Sequence, residues 1–558
     1  MAAATIGFLT TLAVITRFCS CHQNDVGADN VLAYAIADDF GNVSIQPTDG
    51  GRFVGKAIYT RDTNTTGWNY LEIFTSRKED DSMQAYAAGL LEGWITADAI
   101  HMYWYNMFRH FCDRRTDVCK TLHEYLRTNR NWVEAQVTEK NGSDAYWYQV
   151  GLVYKQLDGL HDGYNANIKE GMQSLSWEHF FWMNIQEDLY DLYDAFNSTH
   201  PHRKPFGAGS GSVLIKLLPG YKELFFSHVT WNWYETMMRI QKRYRLNYKE
   251  SISSNQLVYG HDISFSSYPG FLYSMDDFYL ISSGLAVTQT TNTVYNSLLW
   301  ANVRPIGQIS VFVRSMVANR LASDGLAWTK YFQNHNSGTR NNQWLVVNYS
   351  LFRPGHQMPE NGLLYILEQM PGIVKTQDVT KMLLDQMYWA SYNVPFIPAV
   401  FKTSGQQDMM NRYGNWFSYH DTPRARLFAR DQASVIDLQT MLQLMRSNDF
   451  RNDPESRCKH CIPRFSAENA VSSRADLNDR NGSYPFEALG YSNRGATDVK
   501  ITSHRMFKSL IFVAISGPTS GTSSRLGPYC WSRASANVSH LGLPDCWDFE
   551  PETHKWVF

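Results

Sequence analysis

The sequence lacks any block of like charge. Its 51 Lys and Arg residues nearly balance 53 Asp and Glu residues, which gives a formal net charge of -2 at pH 7. Proteins that bind the phosphate backbone of nucleic acids neutralise it with clustered cationic side chains. We therefore expect no nucleic-acid partner. The 17 histidines would make the protein strongly positive below their ordinary pKa of about 6.5, which suits an acidic organelle and peripheral contact with an anionic lipid surface.

Long hydrophobic runs are also absent beyond the N-terminus. No later apolar run approaches the roughly 20 residues of a membrane-spanning helix, so we expect no transmembrane segment. Residues 1–16 form an uncharged apolar run that ends at Arg17. This pattern is typical of a secretory signal, although the usual basic residues before it are missing; the alternative is a buried N-terminal helix. Cleavage after Cys21 would give a signal peptide of residues 1–21.

Cysteine is scarce: the chain has 8, of which Cys19 and Cys21 belong to the predicted signal. An even number of the remaining cysteines in an oxidising compartment predicts disulfides. Six cysteines allow many connectivities, but their order along the chain suggests three local pairs: Cys112 with Cys119, Cys458 with Cys461, and Cys530 with Cys546. The CxxC pair at 458–461 could instead be a redox dithiol or half of a zinc site. No second CxxC motif completes a zinc shell, so we favour a structural disulfide.

Seven Asn-x-Ser/Thr sequons agree with passage through the secretory route. They begin at Asn42, Asn64, Asn141, Asn197, Asn348, Asn481 and Asn537. Together with the signal they predict a glycoprotein of the secretory route.

Several common catalytic motifs are missing. There is no GxSxG motif, which disfavours an ordinary α/β-hydrolase lipase. Neither an HExxH zinc motif nor a Walker loop occurs, and the GAGSG run does not complete GxGxxG. We therefore expect neither a metal nor an organic cofactor.

The chain divides at a loop rich in proline and glycine, residues 197–212. Residues 22–210 are predicted to be mostly helical, with one long helix over 81–108 and a helix-rich region over 145–195. Residues 211–558 carry the main strand-like runs and would form one body with the N-terminal portion. His200 and His202, inside the loop, could bind a metal, but an exposed polar loop is the commoner explanation.

Strand-like and helix-like patterns are mixed after the loop. Strands are predicted over residues 212–218, 223–231, 271–280 (around a turn at Asp276-Asp277), 285–291, 344–352, 363–367 and 509–516, and helices over 307–321, 379–388 and 433–445. Paired strands layered with helices indicate an α+β sandwich rather than a doubly wound parallel sheet.

The runs at 212–218 and 223–231 predict an antiparallel hairpin. With Gly220 and Tyr221 as turn residues, position 211 lies opposite Thr230 and position 213 opposite His228. His228 is then the diagonal neighbour of position 211. Alternation places the side chains of Ser210 and Ser212 on the other face. His228 could be a hydrogen-bonded core histidine or a catalytic one.

Five ordered motifs carry a resemblance to a known family. They are GSGSVLIKLLPGYKELFFSHVTW (209–231), NSGTRNNQWLVV (336–347), YWASYNVPF (388–396), WFSYHDTPRARLFARD (416–431) and ISGPT (515–519). Together they resemble the phospholipase B-like family, secreted and lysosomal proteins related to lamina ancestor. The resemblance implies the four-layer αββα sandwich of N-terminal nucleophile hydrolases. It also implies self-cleavage in the glycine-rich loop, which exposes a cysteine nucleophile with its own α-amine as base.

The resemblance also implies roles for polar residues that match the family motifs. They are His228 and Trp231 on the hairpin, Asn393 as an oxyanion-hole donor, and Arg424 for orientation or charge stabilisation. Asn341 and Asn342 could line the same cleft or hold turns together.

The chain departs from the family pattern at the nucleophile. The family has cysteine where this chain has Gly211, and glycine offers no side-chain nucleophile. Ser212 could substitute if the chain were cut between Gly211 and Ser212, but alternation points its hydroxyl to the wrong face. We therefore expect self-cleavage and hydrolysis to be lost, although Ser212 stays a candidate.

At family level the resemblance implies a hydrolase that removes acyl chains from phospholipids or related amides. The alternative is an inactive secreted or lysosomal glycoprotein that binds lipids without turning them over.

Overall fold

The structure is a computed structural model that describes residues 29–113, 116–196, 204–521, 525–534 and 536–558. The predicted signal peptide, Asn197, His200 and His202 lie outside these residues. The described chain mixes helices and strands, which confirms the α+β class.

The strands within the described residues are β1 (Asp29–Ala37), β2 (Val43–Gln46), β3 (Arg52–Arg61), β4 (Asn69–Thr75), β5 (Gly211–Leu217), β6 (Leu224–Trp233), β7 (Ile240–Arg245), β8 (Asp262–Ser267), β9 (Phe278–Ile281), β10 (Leu285–Thr291), β11 (Asn342–Asn348), β12 (Leu364–Met370), β13 (Ile373–Asp378), β14 (Tyr388–Ser391), β15 (Arg494–Ala496), β16 (Asp498–Ser503), β17 (Val513–Ser516), β18 (Tyr529–Cys530), β19 (Cys546–Trp547) and β20 (Glu552–Thr553).

The α-helices of the same residues are α1 (Thr63–Thr66), α2 (Asp81–Ile95), α3 (Ala97–Met107), α4 (Thr116–Lys140), α5 (Ala145–Ala166), α6 (Trp177–Asn184), α7 (Asp188–Ala195), α8 (Val311–Leu321), α9 (Gly325–Gln333), α10 (Thr380–Gln386), α11 (Pro398–Thr403), α12 (Gln406–Tyr413), α13 (Pro423–Asp431), α14 (Leu438–Met445) and α15 (His504–Phe507).

Two large sheets organise the described chain. In the larger, the strand order is β13-β12-β11-β10-β9-β8-β7-β4-β3-β1-β2. The pairing of β4 with β7 is parallel, and it joins the strands before the glycine-rich loop to those after it. In the smaller, the order is β14-β5-β6-β16-β17-β20, and β15 also pairs with β6.

The two sheets share an apolar core. Val213 and Phe226 of the smaller sheet belong to the same buried cluster as Phe278 and Leu345 of the larger one. Because side chains alternate along a strand, Leu214 of β5 lies in a different cluster, with residues of α13 and α14. A third cluster joins the larger sheet to α2, α5 and α8. Position 211 therefore belongs to the face of β5 that looks toward the larger sheet.

The N-terminal region differs from the sequence prediction in two ways. The predicted single helix over 81–108 is wrong, because α2 ends before Thr96 and α3 begins after it. The Thr96 hydroxyl donates to the Glu92 carbonyl at 2.7 Å, a local bond that competes with continued helix geometry. The sequence analysis also missed β1–β4.

The strand predicted over 271–280 is confirmed only at its end, because β9 covers Phe278–Ile281. The preceding residues form a buried turn, in which the Phe278 amide donates to Ser274 Oγ at 3.1 Å. Asp277 has a φ of 52°, which an extended strand does not allow.

The three predicted disulfides are confirmed: Cys112–Cys119, Cys458–Cys461 and Cys530–Cys546. Five of the sequon asparagines are exposed, namely Asn42, Asn64, Asn141, Asn481 and Asn537. Asn348 is only 6% exposed, and its side chain accepts a hydrogen bond from the Ser350 amide. A glycan at Asn348 would therefore need attachment before that strand is folded.

The described residues contain no helix that is both long and apolar enough to cross a membrane. They also contain no group of three or more His, Cys, Asp or Glu side chains placed to hold a metal ion.

Candidate active site

The hairpin of β5 and β6 places Gly211 beside His228. The loop between the two strands is centred on Gly220 and Tyr221, which have positive φ of 71° and 54°. It is longer than the two-residue turn assumed from the sequence, because the Leu218 amide donates to the Glu223 carbonyl and the Tyr221 amide donates to the Leu218 carbonyl, both at 2.9 Å. Residues 219–222 therefore form the loop, with the same centre and the same register. Gly211 pairs with Thr230, and Val213 pairs with His228. This is the register predicted from the sequence.

Gly211 leaves no room for a side chain. A Cβ atom built at this position would lie 2.8 Å from the Val229 carbonyl oxygen and 3.0 Å from His228 Nε2. The first contact is with backbone, which a rotamer change cannot relieve. The imidazole therefore lies where a side chain at position 211 would project.

His228 is buried, with 1% of its surface exposed. Its Nδ1 lies 3.4 Å from Thr230 Oγ1, and its Nε2 has no hydrogen-bond partner within the described residues. Burial and, next in importance, the positive charge of Lys500 together lower the pKa of His228 to about 3. The imidazole is therefore neutral at physiological and lysosomal pH.

A buried ionic network lies next to this imidazole, and sequence reasoning missed it. Lys500 is the cross-strand neighbour of His228 on β16. Its Nζ donates to Thr230 Oγ1 and to Asp498 Oδ2, both at 2.7 Å, and lies 3.4 Å from Asp276 Oδ2. The network fixes the Thr230 hydroxyl beside the ring.

Arg239 completes the network from the larger sheet's side. It pairs with Asp276 and, at 2.8 Å, with Asp498. Burial opposes ionisation of Asp276, but Arg239 and Lys500 lower its pKa below the ordinary value. Charges that are buried this deeply need such partners, because an unpaired buried charge is very costly. No sequence motif marks these residues, since Asp498 and Lys500 lie on β16, Asp276 lies in the turn before β9, and Arg239 directly precedes β7.

Arg424 joins three separate segments of the chain. Its Nη1 donates to the Gly211 carbonyl at 2.6 Å and to Ser212 Oγ at 3.2 Å. Its Nη2 donates to the Tyr392 carbonyl at 2.8 Å and to Asn393 Oδ1 at 2.9 Å. Burial lowers the pKa of Arg424 to about 9, so the guanidinium is still charged at neutral pH.

The Trp231 ring packs against the guanidinium of Arg424. The guanidinium carbon lies 4.3 Å from the centre of the Trp231 ring, a cation–π contact. The Trp231 amide donates to the Ser210 carbonyl at 3.2 Å, which extends the hairpin to the glycine-rich loop. These contacts show that Trp231 positions Arg424 and the end of the glycine-rich loop.

Asn393 also contacts the glycine-rich loop. It has a φ of 66°, a left-handed conformation that asparagine tolerates better than most residues. A Cβ atom at Gly209 would lie 2.6 Å from its Oδ1, so the loop approaches it as only glycine can. Its Nδ2 donates to the Thr291 carbonyl at 2.8 Å, so one of the two amide hydrogens predicted to face an oxyanion is already engaged.

Ser212 lies on the face of β5 away from His228. Its side chain is fully buried, and Arg424 Nη1 is its hydrogen-bond donor. Ser212 pairs with Val229 in the hairpin ladder. The structure thus brings Ser212 close to Arg424 but leaves the imidazole on the opposite face.

Asn341 holds a turn together. Its Nδ2 donates to the Gly338 carbonyl at 2.8 Å and to Asp191 Oδ2 at 3.0 Å. Asn342 begins β11 and is buried there. The contacts of Asn341 favour its structural role, whereas both polar atoms of the Asn342 amide are buried without a hydrogen-bond partner among the described residues, so no contact assigns Asn342 that role.

A second arginine secures the loop. Arg494 donates to the Gly209 carbonyl and pairs with Glu468 at 3.1 Å. Sequence reasoning did not identify it. Gly209 and Gly211 thus each present their carbonyl oxygen to a buried guanidinium.

Comparison with known proteins identifies relatives over most of the chain. The family model described as Phospholipase B matches residues 55–554. A rat protein named "Putative phospholipase B-like 2" is 42% identical over 510 residues, which cover 90% of this chain and 86% of the relative. The human protein of the same name has the same identity and coverage. "Phospholipase B-like protein B" of Dictyostelium discoideum is 35% identical over 512 residues, 89% of this chain and 84% of the relative. The chain belongs to the phospholipase B family.

Proposed function

We propose that this chain is a secreted or lysosomal lipid-binding member of the family that does not hydrolyse its ligand by the family's cysteine route. Its ligand would be a phospholipid or a related acyl amide. The observation that carries the proposal is the contact between Gly211 and His228, because the imidazole lies where a side chain at position 211 would project. No metal or organic cofactor is part of the proposal.

The arrangement of layers supports an N-terminal nucleophile hydrolase fold of the αββα type. The two sheets share one apolar cluster, and helices pack on the outer face of each. The hairpin with the glycine-rich loop belongs to the smaller sheet. This is where the family resemblance places the nucleophile.

Chemistry explains why the cysteine route is excluded. In that route a thiolate attacks the acyl carbonyl carbon, the S–C bond forms as the alcohol or amine leaves, and a base takes the thiol proton. Gly211 has no atom that can form this bond. His228, which is neutral and has a free Nε2, could still accept a hydrogen bond from a ligand.

Ser212 is the second candidate, favoured by the 3.2 Å contact of its Oγ with Arg424 Nη1. Hydrolysis of the Gly211–Ser212 bond would consume one water and leave a carboxylate on Gly211 and an α-amine on Ser212. That amine would take the hydroxyl proton while Oγ attacks the acyl carbonyl, and the lipid's alcohol or amine would leave with this proton as its bond to the acyl carbon breaks. A second water would then hydrolyse the acyl-serine ester and release the acid. Because Ser212 faces away from His228, this route would use Arg424 rather than the imidazole.

Sequencing of the mature N-termini tests both candidates. A denaturing gel of the purified protein should show one chain, with an N-terminus at His22 and no new N-terminus at Ser212. Mixed micelles of phospholipid should release no fatty acid at acidic or neutral pH, while a fluorescent lysophospholipid should bind. Two chains with Ser212 at the second N-terminus and fatty-acid release would overturn the proposal in favour of the serine route.

The variant Gly211→Cys provides the matched comparison. If the rest of the family's machinery is intact, a cysteine at this position should restore cleavage before residue 211 once the hairpin adjusts to the side chain. Gly211→Ser is the control, because it adds a side chain of similar size at this position without adding a thiol. Cleavage of the unmodified chain at the same level as Gly211→Cys would contradict the proposal.

Location is part of the proposal. The apolar leader and the exposed sequon asparagines support entry into the secretory route. Treatment with an N-glycosidase should lower the apparent mass of protein made in a eukaryotic host. Protein that keeps residues 1–21 and shows no mass change would contradict secretion.

A further inference from the structure

A cavity of about 380 Å³ lies beside β14. We call it the β14 cavity. Its lining is mostly aromatic and apolar and includes Tyr388, Trp389, Tyr392, Phe396, Tyr419 and Ala425. Its volume falls in the range of roughly 300–1,000 Å³ that small-molecule sites occupy.

The β14 cavity adjoins the candidate active site. The Tyr392 carbonyl accepts a hydrogen bond from Arg424 Nη2 at 2.8 Å, and Ala425, which follows Arg424 in α13, lines the cavity. The same guanidinium donates to the Gly211 carbonyl. One layer of residues thus separates the cavity from the glycine-rich loop.

β14 is the edge strand of the smaller sheet within the described chain. The Leu217 amide donates to the Met387 carbonyl, and the alternation of antiparallel pairs then turns the backbone groups of Tyr388 and Ala390 away from β5. Both residues line the cavity. Trp389 is 3% exposed and its Nε1 has no partner within the described residues, so the lining offers a few polar groups within an apolar surface.

We propose that the β14 cavity binds the acyl chain of a lipid, with the polar end of the ligand turned toward Arg424. This inference rests on the proposed function and deepens it by naming the place of the acyl chain. The aromatic and aliphatic part of the lining favours a hydrocarbon chain, because burying it there removes apolar surface from water on both sides. Gln386 and His420 are polar residues of the same lining.

An extended peptide is the competing occupant. A peptide that adds to a sheet edge needs a row of backbone donors and acceptors. β14 has four residues, of which only Tyr388 and Ala390 turn their backbone groups outward. The walls instead come from both faces of the strand, since Trp389 packs in the inter-sheet cluster and Tyr392 in the cluster with α13. The cavity is therefore better shaped to enclose an acyl chain than to pair with a peptide strand through backbone hydrogen bonds.

The variant Ala429→Trp tests the inference. Ala429 is exposed on α13 and lines the β14 cavity, so an indole there would fill the cavity from its solvent side. Ala135→Trp, at an exposed position of α4, is the matched control. Purified full-length proteins are titrated with a dansyl-labelled fatty acid, and binding is followed by energy transfer from tryptophan.

Ala429→Trp should weaken binding about tenfold or more, and Ala135→Trp should leave it unchanged. Equal binding by the unmodified protein and Ala429→Trp would overturn the inference but not the proposed function, since the lipid would then bind elsewhere. No binding of either the fatty acid or a lysophospholipid by the unmodified protein would overturn both. If Ala429→Trp does not fold, Phe396→Ala removes one aromatic wall and should weaken binding as well.

Hydrogen exchange separates the two occupants. An acyl chain cannot accept hydrogen bonds from the amides of Tyr388 and Ala390. Its binding should therefore slow the hydrogen exchange of these two amides no more than that of the other residues that line the cavity. Strong protection of these two amides by an extended peptide, without displacement by the fatty acid, would refute the lipid assignment.

Discussion

Arg424→Met removes the one side chain that ties the glycine-rich loop to α13 and to the segment after β14. The guanidinium donates four hydrogen bonds, to the Gly211 carbonyl, Ser212 Oγ, the Tyr392 carbonyl and Asn393 Oδ1. Methionine fills much of the same volume but donates none of them. The four oxygen atoms would then be left in a buried site without this donor.

The expected loss of stability follows from burial. Hydrogen bonds from a charged donor contribute about 1.5–3 kcal/mol each when measured singly, but four on one group are not additive. Burial lowers the pKa of Arg424 to about 9, so part of the gain is offset by desolvation of the charge. The four acceptors are neutral groups, so Arg424→Met orphans hydrogen-bond acceptors rather than a charge, and we expect a loss of about 3 kcal/mol or more, above that of a single such bond.

Arg426→Met is the matched control on the same helix. The Arg426 side chain is 43% exposed and pairs with Asp421 at 3.2 Å and Glu455 at 3.5 Å. Exposed pairs contribute about 0–1 kcal/mol. Equilibrium unfolding in guanidinium chloride, followed by tryptophan fluorescence, compares the two variants with the unmodified protein. Equal midpoints for Arg424→Met and Arg426→Met would refute the argument that Arg424 holds the site together.

Three more predictions concern the hairpin and the disulfides. Gly211→Ala should cost about 1–3 kcal/mol of unfolding free energy through overpacking, whereas Gly50→Ala, where a Cβ meets nothing within 4 Å, should cost less; the reverse order in a denaturant titration would count against the contact with Val229. Burial and Lys500 hold the pKa of His228 at about 3, below the value of about 6.5 in the unfolded chain. As the pH falls from about 6.5 toward about 3, the unfolded chain therefore binds a proton at His228 and the folded protein does not, so the folded state loses stability. His228→Gln should therefore lose less thermal stability than the unmodified protein between about pH 7 and about pH 5, and an equal loss would contradict the assignment. Replacing both cysteines of the C-terminal disulfide, which are 16 residues apart, should cost about 3 kcal/mol, against about 2 kcal/mol for the pair 3 residues apart, since loop closure by the longer link removes more entropy from the unfolded chain; equal thermal shifts would not agree with this account.

Local rules were enough for the hairpin and the disulfides. The centre of the turn and strict alternation fix which residue faces which, so the sequence alone predicted that Gly211 lies opposite Thr230 and diagonal to His228. The cysteines pair with their nearest neighbours in the chain. The family resemblance rested on motifs read in order, and it identified Asn393 and Arg424 without any knowledge of distance.

Tertiary structure alone decided how those residues meet. Arg424 reaches the Gly211 carbonyl across 213 residues of chain, and Arg239, Asp276, Asp498 and Lys500 form one buried network from separate parts of the chain. Periodicity predicts which face of an element is apolar, but it does not predict which charged side chains will be buried together when two sheets pack. That pairing depends on the stacking of the layers, because a buried charge is tolerated only where the fold supplies its partner.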